Sequence, residues 1–151
     1  MGTKIMVSTN TGIACGTSPT AKTILSYTAP SGVAARVLRY GISLDGTSST
    51  DARAVIDFLK KPATAGTPGS DISSEIAVIS GKGTSLGAAG QNFSAEPTTN
   101  GSSRILRPHQ MAPTGPFETL LGIDLDPSEQ ICMRVISTGR AARAWMEIEL
   151  G

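Results

Sequence analysis

Apolar and polar residues alternate strictly over residues 140–150. Ala142, Ala144, Met146, Ile148 and Leu150 share one side; Arg143, Trp145, Glu147 and Glu149 share the other. A period of two is that of a half-buried β-strand, because successive side chains leave opposite faces of the pleat. The same pattern predicts strands over 33–44, 53–59, 117–123 and 130–137. In the first of these, Ala34, Arg36, Leu38, Tyr40, Ile42 and Leu44 are expected on the inward face, with Val37, Arg39, Gly41 and Ser43 outward. Ala54, Ile56 and Phe58 are expected inward in the second, and Ile131, Met133 and Val135 in the last. Shorter strands are predicted over 21–28, 91–95 and 104–109. Residues 72–80 read two ways: Ser73-Ser74-Glu75 suits a short helix, and Ile76-Ala77-Val78-Ile79 a strand. Clusters of Gly, Pro, Asp and Ser at 29–32, 45–50, 124–128 and 137–140 mark turns, and 60–70 and 81–90 read as loops. About eight or nine strands at roughly 8–12-residue spacing, with no long amphipathic helix, predict an all-β fold. The architecture expected is an antiparallel β-sandwich of jelly-roll type with about eight strands.

A chain of 151 residues is most economically one domain. Gly2, Gly12, Gly16 and Pro19 loosen residues 1–20, where only weak strands are expected at 4–8 and 12–15. That stretch is expected to be an N-terminal arm or edge segment, and 21–151 the β-sandwich domain.

Composition adds exclusions. Thirteen Lys and Arg against twelve Asp and Glu leave a net charge of +1, without the dense basic face that a nucleic-acid partner requires. No run approaches the length of a membrane-spanning helix, so no membrane partner is expected. The N-terminal residues lack the apolar core of a secretory signal, which points to synthesis in the cytoplasm. Cys15 and Cys132 are the only cysteines, and they suit either two buried thiols or a single bridge.

Candidate chemistry is sparse. His109 is the single histidine, so a multi-histidine metal site cannot form, and no Gly-x-Ser-x-Gly elbow accompanies it. Asp124, Asp126 and Glu129 are spaced to meet a cation, but they lack the further ligands and the glycine of a calcium loop; a solvated turn is expected. Gly81-Lys82-Gly83-Thr84 resembles a phosphate loop in composition but not in spacing. The acceptor patterns at Asn92 and Asn100 have no secretory context. These residues predict a non-enzymatic protein with no cofactor and no metal.

What remains is surface. Trp145, with Arg143 beside it, and Val55 with Leu59 place an aromatic ring and two apolar side chains on faces expected to be wet. Aromatic and arginine side chains are enriched as interface anchors, so these four residues are the candidate interface.

Residues 22–49, running Lys-Thr-Ile-Leu-Ser-Tyr-Thr-Ala-Pro-Ser-Gly-Val-Ala-Ala-Arg-Val-Leu-Arg-Tyr-Gly, then Ile-Ser-Leu-Asp-Gly-Thr-Ser-Ser, resemble small structural proteins of tailed bacteriophages. So do Asn92-Phe-Ser-Ala-Glu-Pro-Thr, Ile131-Cys-Met-Arg-Val-Ile and Ala144-Trp-Met-Glu-Ile-Glu. The likeness spans most of 20–150 and rests on strand-and-turn patterns. It implies a capsid decoration, or cement, protein: a β-sandwich, often a homotrimer, that sits on the virion surface and clamps the major capsid protein. The alternative is a head- or tail-fibre type module that recognises a host-surface glycan.

Overall fold

The computed structural model describes residues 2–45, 53–82, 85–111 and 116–151, with 107–109 and 111 as backbone only. The expected turn at 45–50 falls largely outside the described residues, as do Gly83, Thr84 and the side chain of His109. The chain is all-β, two antiparallel sheets packed face to face. The described residues form twelve strands: β1 (Thr3–Ser8), β2 (Ile13–Ala14), β3 (Lys22–Thr28), β4 (Ala35–Asp45), β5 (Ala54–Lys60), β6 (Thr67–Asp71), β7 (Ala77–Ser80), β8 (Ala88–Ala95), β9 (Arg104–Met111), β10 (Pro116–Leu125), β11 (Gln130–Ile136) and β12 (Ala141–Leu150). Both readings of 72–80 are realised in succession, as a 3-10 turn over Ser73–Glu75 followed by β7. β6 lies in a stretch read as loop, because Pro68 and Gly69 conceal a strand that pairs only along one edge.

Sheet A has the order β10-β4-β12-β1-β7, with β2 also beside β12; sheet B has the order β6-β8-β3-β11-β5-β9. The stretch expected to be an N-terminal arm or edge segment contributes two strands to sheet A, close to the two expected at 4–8 and 12–15. β1 runs between β12 and β7, with Ile5 and Val7 buried, and β2 continues along β12 at Ala141 and Ala142. Burial of its alternate apolar residues compensates for the turn-rich composition around it.

Between the sheets lies one apolar cluster, containing Ile5, Ile24, Tyr27, Tyr40, Phe58, Met133, Met146 and Ile148 among others. Tyr40 of sheet A meets Phe58 of sheet B edge to face, with ring centroids 4.7 Å apart. Such pairs contribute about 0.5–1.5 kcal/mol beyond the area they bury. Tyr27 donates its hydroxyl hydrogen bond to the Leu86 carbonyl at 2.7 Å, which lets a polar tip enter the core.

The inward face of β4 departs from strict alternation. Glu147 pairs with Arg39 but Ile148 pairs with Val37, so Leu38 is the extra residue of a β-bulge. On the other side, Leu121 and Gly122 together face Leu38, and Gly122 adopts φ of 71°. The bulge reverses the phase of the strand's start. Val37 is buried, Arg36 is exposed and Leu38 lies half-buried at the surface, the opposite of the expectation for all three.

Candidate interaction surface

The outer face of sheet A carries the most distinctive surface chemistry. β4 and β12 pair so that Trp145 stands directly opposite Gly41, Arg143 opposite Ser43 and Glu147 opposite Arg39. A Cβ placed on Gly41 would lie 2.4 Å from the indole, so the ring lies against the bare backbone of that glycine. An aromatic ring laid across a strand glycine restores the packing that the glycine lacks. Arg39 completes the surround, its guanidinium carbon 5.5 Å from the indole centroid, within cation–π range.

Arg39 is itself fixed at two points. Its Nε donates to Glu147 at 2.5 Å and one terminal nitrogen donates to Glu118 of β10 at 2.9 Å. The Glu147 bond and its negative charge hold the guanidinium more firmly protonated than a free arginine. One charged network thus spans β10, β4 and β12 and holds the rim of the indole. Arg143 sits 3.8 Å from Asp45, with both side chains more than half exposed. A shallow groove opens at the bulge, lined by Leu38, Leu120 and Leu121 with Arg36, Arg39 and Glu147. Leu120 is 82% exposed there.

Of the four expected interface residues, Trp145 and Arg143 share this face. Trp145 is half-buried, and part of its cover comes from its own sheet. Val55 and Leu59 belong to sheet B. Val55 is half-buried, whereas Leu59 is fully buried and cannot act as an exposed contact.

The reason is local. Leu59, its cross-strand neighbour Cys132, and Phe93 are buried but stand outside the cluster between the sheets. Leu59 and Cys132 stand directly opposite each other on β5 and β11, and segments 61–66 and 96–103, which follow β5 and β8, are tied to one another. Thr64 bridges Thr98, Ala63 donates to the Thr98 carbonyl at 2.7 Å, and Ser103 Oγ donates to the Lys61 carbonyl at 2.8 Å. Glu96 accepts from both the backbone and the hydroxyl of Thr23, at 2.8 and 2.6 Å. Two rungs along the same strand pair, Asp57 and Arg134 are joined through two bonds of 2.6 and 2.9 Å, both side chains largely shielded.

The remaining candidates do not converge. Asp124 faces Arg36 at 3.6 Å on sheet A, whereas Glu129 accepts from the Asp126 backbone N–H at 2.7 Å and closes its own turn. Among the described residues no group of His, Cys, Asp and Glu is placed to hold a metal. Cys15 and Cys132 are free thiols. Burial pushes Cys15 up to about 11 and Cys132 to about 12, the latter helped by the nearby charge of Glu96. Leu120 and the groove beside it are residues that alternation alone does not find, because the bulge that exposes them has no sequence signature beyond Gly122.

Compared with family models, with curated proteins and with solved structures, the chain matches none.

Proposed function

We propose that this chain is a structural virion protein that binds the outside of a phage capsid and stabilises it as a decoration protein. On this reading β1-β12-β4-β10 and β3-β11-β5-β9 are the two four-stranded sheets of a jelly roll, with β2, β6, β7 and β8 as additions. The outer face of sheet A is the docking surface for the major capsid protein, with Trp145 and Leu120 as anchors. One observation carries the reading: a half-buried indole, two arginines and an 82% exposed leucine lie together on adjacent strands of one rigid sheet. Interface hot spots are rich in tryptophan and arginine, and a rigid face loses little conformational entropy on binding. The resemblance of residues 22–49 and 144–149 to phage structural proteins points the same way. A protein that binds an assembled shell but not its dissociated parts stabilises the shell by mass action, and symmetric repetition multiplies a modest contact.

Cosedimentation with purified expanded heads tests this. The protein is expected to pellet with heads, and Trp145→Ala with Leu120→Ala to lose most of that binding while keeping its fold. Absence of binding to heads would overturn the reading. A selective hit on a glycan array would replace it with the glycan-recognition alternative.

A further inference from the structure

The chain has three asparagines, and one of them, Asn100, precedes a glycine. It lies in the exposed turn between β8 and β9, which the Ser103 N–H closes onto the Asn100 carbonyl at 3.1 Å. Its side chain is folded back. Oδ1 accepts from the Ser102 N–H at 2.8 Å, two residues ahead, which draws the carboxamide over the intervening Gly101 nitrogen. Gly101 is exposed, and a Cβ built on it would meet nothing within 4 Å, so no side chain shields that nitrogen. Arg104 brings a positive charge to the same turn. Its guanidinium donates to the carbonyls of Gly101 at 3.0 Å and Ser103 at 2.9 Å.

We propose that this turn is a self-modification site, at which Asn100 deamidates spontaneously through a cyclic imide. Hydroxide removes the Gly101 amide proton, and the nitrogen attacks Cγ of the Asn100 carboxamide. The N–Cγ bond forms and the carbonyl electron pair moves onto Oδ1. As that oxyanion collapses, the Cγ–Nδ2 bond breaks, its electron pair leaving with the nitrogen, which water protonates to ammonia. A second water then opens the imide. Attack at Cγ gives aspartate, and attack at the main-chain carbonyl gives isoaspartate. The Ser102 N–H that already holds Oδ1 is placed to stabilise the oxyanion on that same atom, and the Arg104 charge favours the anionic Gly101 nitrogen.

The other two asparagines lack this arrangement. Asn10 is held at both ends of its amide, by Glu75 and Gln91, and precedes the β-branched Thr11. Asn92 accepts from Lys22 and is followed within β8 by Phe93, a buried ring. Deamidation gives the chain a thirteenth acidic side chain against thirteen basic ones, which takes the formal net charge from +1 to zero. Isoaspartate also lengthens the main chain by one carbon inside a turn that Ser103 Oγ ties to the Lys61 carbonyl at 2.8 Å. The site is independent of the capsid reading.

Incubation of the full chain in mildly alkaline buffer, followed by peptide mapping with mass spectrometry, is the test. The peptide holding Asn100 is expected to gain one mass unit, with isoaspartate exceeding aspartate, while Asn10 and Asn92 stay intact. Isoelectric focusing should show the matching acidic shift. Gly101→Ala fits the open space, at a backbone φ outside the left-handed region, so the fold is expected to persist. That variant should slow the reaction roughly tenfold or more. Arg104→Gln should slow it roughly two- to fivefold at low salt and less at high salt. A folded chain whose Asn100 persists while the same residue deamidates in urea overturns the proposal. So does a chain in which Asn10 or Asn92 reacts first.

Discussion

At Gly41 a missing side chain decides where an indole can lie. The alanine methyl would begin 2.4 Å from the ring atoms of Trp145, nearer than any non-bonded contact allows. Gly41→Ala must lift the indole off the strand and disturb the Arg39 network at its rim. The expected cost is about 1–3 kcal/mol, typical of overpacking. Because Trp145 is the only tryptophan, its fluorescence reports the change directly. A lower denaturation midpoint with red-shifted emission is expected, and an unchanged spectrum would contradict the stacked arrangement. The thiols make a second prediction at this scale. Both have folded pKa values raised above the ordinary 9.0, to about 11 for Cys15 and about 12 for Cys132, chiefly by burial. The folded state therefore holds protons that the unfolded state releases. Their contribution to stability is complete below pH 9 and is lost as pH rises through 11 and 12. Thermal midpoints should fall over that range, and less steeply in a Cys15→Ser, Cys132→Ala variant. At pH 8 an aromatic disulfide reagent should titrate neither thiol quickly in the native state.

Among the strands, β5 shows how far alternation reaches. Ala54, Ile56 and Phe58 enter the core as their period predicts. Leu59 falls on the outer face by the same rule, outside the cluster between the sheets, yet it has no solvent contact. Leu59→Ala is accordingly expected to cost about 2–4 kcal/mol, as in a core, rather than the small change typical of a surface site. Urea denaturation measures the difference directly. β4 failed the rule differently. Residues 40–44 keep the expected phase, but the bulge at Leu38 shifts everything before it, and a single extra residue inverts every side chain on one side of it. No local residue pattern announced that insertion, because it is fixed by how β10 and β12 register against β4.

For the molecule as a whole, the first residues carry more than their composition suggests. β1 joins the body of sheet A to β7, and Ile5 and Val7 fill the space between the sheets. Deleting residues 1–9 would uncover β12 along Trp145–Leu150 and detach β7, so cooperative unfolding should be lost. A heat-capacity trace without a single sharp transition is the expected result. A truncated chain melting like the full one would instead restore the reading of an arm. The candidate surface is likewise a property of the whole, because Trp145, Gly41, Arg39, Glu118 and Leu120 come from three strands far apart in sequence.

Side-chain period and turn chemistry were enough to reveal an all-β chain, the positions of its long strands and the side of β12 that bears Trp145, because each depends on neighbours along the backbone. Partners across the sheet depend on distant residues brought together by folding. That is why only the tertiary structure laid the indole against Gly41, buried Leu59 on the outer side of sheet B and drew β1 into sheet A.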